Sequence, residues 1–181
     1  MTVNYTVGAG ENSSDLNVTL ASLTAGTLQD SAGNDADLTL PSGNNLADNH
    51  AIVVDTDAPG VTSIMADTNP VYSGDLTTEV VVVFDETMNT GVTPTVAADT
   101  SANFSAGSGL WSTTSNTNDT YTVTLTHNSN EEEIAAETIS VSGGEDPAGN
   151  TASGDTTAAF VLDTQLPNLL SFTSSTGDDT Y

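Results

Sequence analysis

The sequence predicts an all-β chain of tandem sandwiches. Three observations lead there: an ordered pair of motifs that occurs twice, a succession of short apolar runs set between turn residues, and almost no helical periodicity. Asp55-Thr56-Asp57-Ala58-Pro59 recurs as Asp163-Thr164-Gln165-Leu166-Pro167. Upstream of each, Asp30-Ser31-Ala32-Gly33-Asn34 matches Asp146-Pro147-Ala148-Gly149-Asn150. Both D-T-x-x-P motifs follow one apolar run and precede another, so each reads as last strand, linker, first strand of the next unit. Proline cannot donate to a ladder and stiffens the junction. The predicted boundaries are therefore 1–56 for the C-terminal part of one repeat, 57–164 for a complete repeat and 165–181 for the first strand of another.

Each element has its own justification. Ala51-Ile52-Val53-Val54 is an apolar run of strand length that closes the first segment. Val61–Ala66 opens the complete unit. Glu79–Phe84 is the most apolar run and is expected to be buried on both faces. Thr95–Ala97 and Gly109–Thr113 are shorter. Tyr121–Thr126 alternates polar and apolar residues, as a half-buried strand does. Thr138–Ser142 and Ala158–Asp163 complete the set, and Asn130–Ala136 is the one candidate for a turn or two of helix. The intervening clusters of Gly, Asn, Asp and Pro are turn signals. In D-x-A-G-N the Asp bonds its own backbone and Gly supplies positive φ, a structural account that needs no ligand. Seven short strands in one unit favour an Ig-like sandwich.

Charge excludes several classes of function. The chain has 181 residues, 25 Asp and Glu, no Lys or Arg, two His, no Cys and a formal net charge of −25. Without cations there is no phosphate clamp, no nucleic-acid groove and no attraction to an anionic membrane. Schiff-base lysines, disulfides, thiolate nucleophiles and Cys-ligated metals are excluded with them. Every carboxylate must find water, a hydrogen bond, a protonated His or an external cation. No apolar run approaches the roughly 20 residues of a membrane helix, and residues 1–20 lack a signal-peptide pattern.

A family resemblance rests on Tyr5–Leu16, Leu28–Ala36 and Ala51–Pro59, and on Val82-Val83-Phe84-Asp85-Glu86-Thr87-Met88. These runs resemble the bacterial Ig-like repeats of giant secreted surface proteins: RTX-type adhesins, biofilm-associated proteins and cyanobacterial surface proteins. The last is similar to their V-x-F-S-E-x-M strand, with Asp85 in the Ser place. The resemblance implies an extracellular array of β-sandwiches, often rigidified by calcium near domain junctions and serving as a stalk or filament.

Calcium takes about 6–8 oxygen ligands, and this chain offers little else. The candidates at the first linker are Asp55 and Asp57, joined by Asp85 and Glu86 after the apolar strand and by Asp146 and Asn150 in the late turn. At the second linker Asp163 remains but Gln165 replaces the other Asp, so that site is expected to be weaker. Asp30, Asn34 and Asp35 are the equivalents in the first segment, and Asp178 and Asp179 could serve the third. Bound cations would relieve repulsion and stabilise the fold by mass action.

Enzyme readings are poor. Asp85 and Glu86 are adjacent and point apart on a strand, which does not suit a glycosidase pair. No G-x-S-x-G elbow occurs. His50, His127 and Glu131–Glu133 read as solvated, and Trp111 as core or sandwich edge. The expected function is a Ca²⁺-clamped extender, stalk or filament segment on a bacterial surface. The alternative is an adhesin module that binds a glycan or a partner protein. The expected partners are neighbouring repeats of the same protein. Head-to-tail pairing through the incomplete terminal sandwiches would join copies if those ends are physiological.

Overall fold

The structure, a computed structural model, describes residues 4–18, 26–40, 42–128 and 131–171. The chain forms two compact units, Met1–Ala58 and Pro59–Tyr181.

The second unit is all-β. Its strands are β1 (Val61–Ala66), β2 (Val71–Tyr72), β3 (Thr77–Phe84), β4 (Thr95–Ala98), β5 (Phe104–Ala106), β6 (Leu110–Ser112), β7 (Thr120–His127), β8 (Glu133–Ser142) and β9 (Asp155–Asp163). One sheet runs β1-β3-β7-β5, with β6 following β5 along the same edge of β7. The other runs β2-β9-β8-β4. All pairs are antiparallel except β2 with β9.

The core lies between the two sheets. Val80, Val82 and Phe84 from β3 join Tyr121, Val123 and Leu125 from β7 on one side. Ile139 and Val141 from β8, with Phe160 and Leu162 from β9, face them from the other. Phe104 meets Phe160 edge-on across the gap, ring centres 5.6 Å apart. Each such side chain removed from water contributes about 1.5–3 kcal/mol. Trp111 sits half-buried on edge strand β6, against Tyr121 at 4.9 Å and Phe84 at 6.0 Å. Gly109 lets that edge close, because a Cβ there would lie 2.1 Å from the Tyr121 ring.

Three local expectations need correction. β3 is not buried on both faces: Val80, Val82 and Phe84 point inward, while Val81 and Val83 are only half-buried. It is one layer of a two-layer unit, so one face stays wet. The proposed helix around Asn130–Ala136 is strand from Glu133 onward, although Asn130 lies outside the described residues. There Glu133 and Ile134 pair with Asp163 and Leu162, and this ladder overrides the helical preference of Glu and Ala. The register of this pair is irregular on both sides of Glu137. Strands β2 and β5 were not expected, since two and three residues are too short to show alternation.

In the first unit the described residues form no extended strand. Ala51–Val54 pairs only through the isolated bridge between Val54 and Ser13, reinforced by Leu16 N–H to Ile52 O at 2.7 Å. One helical turn, α1 (Leu46–Asn49), is capped reciprocally by Asn45 and Asp48. Residues 165–171 carry no strand assignment, and the rest of the expected third-repeat strand, with Asp178 and Asp179, lies outside the described residues.

Candidate functional site

The repeated sequence motifs fold into repeated turns. In the first unit, Asp30 Oδ1 accepts from Ala32 N–H at 2.8 Å and Asn34 N–H at 2.9 Å, and Oδ2 from Asn34 Nδ2 at 2.8 Å. In the second, Asp146 Oδ1 accepts from Gly149 N–H at 2.7 Å and Asn150 N–H at 2.9 Å, and Oδ2 from Asn150 Nδ2 at 2.7 Å. Gly33 and Gly149 have φ of 90° and 94°, where a side chain would be strained. The linker residues repeat as well. Asp57 N–H meets Asp55 Oδ1 at 3.2 Å, and Gln165 N–H meets Asp163 Oδ1 at 3.2 Å. Asp57 is further held by Asn12 Nδ2 at 2.6 Å. Asp35 closes the first turn by accepting from Gln29 Nε2.

The environments of the two turns differ. Asp30 is exposed, and the Asn34 side chain and backbone N–H groups hold its pKa below the ordinary value. Asp146 is fully buried. Burial pushes its pKa up, but the Asn150 amide and the backbone donors outweigh that, and the net shift is downward. It is a buried anion held by amide donors.

Four of the sequence candidates gather at one end of the second unit. Gly60 N–H bonds Asp85 Oδ1 at 2.8 Å, and Asp85 N–H returns to Gly60 O at 2.9 Å. Ser153 N–H reaches Pro59 O at 3.2 Å, and Asn89 N–H reaches Glu145 O at 2.8 Å. The start of the unit, the segment after β3 and the Asp146–Asn150 turn are thereby tied together. A carboxylate oxygen of Glu86 lies within 4.8 Å of one of Asp146. Two full charges 4.8 Å apart repel by about 3.5 kcal/mol at an effective dielectric constant near 20, and water around Glu86 screens this further. Asp163 stands at the other end of β9, directly opposite Glu133. Like charges so paired destabilise a sheet.

The structure also shows polar groups that the sequence reading passed over. Asp119 is fully buried. Its carboxylate accepts from the N–H groups of Thr114, Ser115 and Asn116 at 2.6–2.7 Å and from Thr120 Oγ1 at 3.0 Å. Burial opposes ionisation, yet these donors bring the pKa far below the carboxylate range. Glu137, also buried, accepts from Thr100 and Ser101 N–H at 2.8 and 2.9 Å. His127 is not a surface residue: it is 1% exposed, with Nε2 2.9 Å from Glu132 Oε2. Glu132, expected in a solvated run, also accepts from Ser101 Oγ at 2.6 Å and from Asn103 Nδ2. His50 is exposed, as read. A signal for His127 was present, since it continues the inward alternation of Tyr121, Val123 and Leu125.

Comparison with known protein families, curated proteins and solved structures finds no match to the chain.

Proposed function

We propose that the chain is a structural segment, an extender, stalk or filament, of an extracellular bacterial surface protein built from tandem Ig-like repeats and stiffened by Ca²⁺ at its junctions. The observation that carries the calcium reading is the Glu86–Asp146 pair: two carboxylates within 4.8 Å, one fully buried, in a chain with no Lys or Arg. The donor set fits a hard cation, since carboxylates and an amide are oxygen ligands suited to calcium. Glu86 and Asp146, with Asp85 and Asn150 in support, would hold the ion. The linker residues Asp55 and Asp57 precede Pro59 closely in sequence, and Pro59–Gly60 is tied to this end of the unit. The ion would supply positive charge that the chain lacks.

The repeat reading draws support from the matching turns at Asp30 and Asp146 and at Asp55 and Asp163. At the second linker Gln165 stands where Asp57 stands at the first, so a second ion would bind more weakly. The mechanism is mechanical: short proline-containing linkers, clamped by cations, keep successive units from folding back.

Calorimetric titration with CaCl₂ tests this. We expect saturable binding that Glu86→Gln and the double change Asp55→Asn, Asp57→Asn each weaken at least tenfold, while Asp75→Asn, at an exposed carboxylate ahead of β3, leaves it unchanged. Absence of calcium binding by the wild-type chain would remove the clamp.

A further inference from the structure

We propose that Glu132 is an acid-released latch, which while ionised ties the linker residue Thr164 to the body of the second unit and on protonation lets it go. The side chain and main chain of Glu132 divide this work. The carboxylate is fixed to the body by three donors: Ser101 Oγ and Asn103 Nδ2 from the segment leading into β5, and His127 Nε2 at the end of β7. The main chain holds the linker. Thr164 N–H donates to Glu132 O at 2.8 Å, and Glu132 N–H donates to Thr164 Oγ1 at 3.0 Å.

The network has little room to accept an added proton. An ionised carboxylate only accepts, which suits three donors; a carboxylic acid brings a fourth donor and weaker acceptors. Among the described residues, buried His127 Nδ1 has no hydrogen-bond partner. A tautomer that freed Nε2 to accept from the acid would bury an unsatisfied Nδ1–H. The Phe104 ring packs edge-on at 5.0 Å from the imidazole, and the backbone N–H of His127 is bonded to Leu76 O at 2.8 Å.

The surrounding ionisable groups offer no substitute cation. Glu131 and Glu133 flank Glu132, and Asp163 on β9 lies opposite Glu133. Glu137 on β8 is bonded to Thr100 and Ser101 N–H. Asp99, ahead of β5, is bonded to Thr138 and Ser140, and Asp75, ahead of β3, to Thr77. Ser101, His127 and Asn103 outweigh desolvation and hold the Glu132 pKa below the ordinary value. A depressed pKa means that the latch is complete above the ordinary glutamate range, near about 4.3. It is lost as pH falls through the lower native value.

The matching threonine of the first linker is held differently. Thr56 N–H donates to the side-chain amide oxygen of Asn12 at 2.8 Å, so the bond to its amide has no titrating acceptor. The two linkers share a tether but not its acid sensitivity.

Amide hydrogen exchange of the full chain, followed by NMR in EDTA from neutral pH to about pH 3 and corrected for intrinsic rates, tests the latch without reference to calcium. We expect Thr164 N–H protection to fall by up to about tenfold per pH unit between the ordinary glutamate range and the lower native pKa of Glu132 and to level off below it, while the β7 core amides stay protected. In Glu132→Gln, Thr164 protection should be low and independent of pH. Ser101→Ala, a milder change that keeps the carboxylate, should move the loss to higher pH. The latch is overturned if Thr164 and the β7 core lose protection together, or if Glu132→Gln or Ser101→Ala leaves the wild-type profile intact.

Discussion

At the scale of single residues, the chain handles its carboxylates by enclosing them in N–H and O–H donors. Asp119 is the clearest case, since four donors hold its ionised form in a fully buried position. Its depressed pKa gives a definite sign. The stabilisation is complete above the ordinary aspartate range, near about 3.9, and disappears as pH falls through the native value. Asp119→Asn should therefore lower the Tm at neutral pH by more than the same change at exposed Asp35. The gap between wild type and variant should narrow on acidification, read by thermal melts at several pH values. Gly109 gives a steric prediction at this scale. Gly109→Ala must displace the Tyr121 ring and should cost about 1–3 kcal/mol in urea unfolding, as overpacking does.

At the scale of elements, stability belongs to the inward faces of β3, β7, β8 and β9. Phe84→Ala should cost about 3–5 kcal/mol in chemical denaturation, because it opens a cavity between the sheets. Leu110→Ala, on a side chain 75% exposed, should stay within about 0.5 kcal/mol. This is also the scale at which the sequence was most legible. Val61–Ala66 was located residue for residue, and the cores of β3, β7 and β9 by their apolar runs. What escaped depended on partners distant in sequence. β8 begins at Glu133 because Asp163 and Leu162 wait across the ladder, which no local pattern reveals. β2 and β5 exist only as short additions to β9 and β7. The candidate site divides the same way. The Asp146–Asn150 turn was visible because its chemistry is local, as was its twin at Asp30. The burial of Asp146 and the role of Glu132 arise from chain segments meeting in space.

At the scale of the whole molecule, a formal charge of −25 without Lys or Arg dominates. Self-repulsion opposes the compact state and also keeps copies soluble and apart. Monovalent salt should stabilise the chain even without calcium, because the screening length falls from about 10 Å at 0.1 M to about 3 Å at 1 M. Its Tm in EDTA should rise steadily with NaCl. A site-bound divalent ion acts differently: it stabilises at millimolar concentration, with a dependence on RT ln(1 + [L]/Kd). The two effects separate cleanly when the monovalent salt is held high.

The most direct test of a calcium-clamped structural segment is the Tm at high NaCl in EDTA, in CaCl₂ and in MgCl₂ at equal divalent concentration. The account predicts a rise specific to calcium that grows with its logarithm, and that Asp55→Ala with Asp57→Ala removes in part. Equal Tm values in all three conditions would contradict it and leave the carboxylates as solubilising charge.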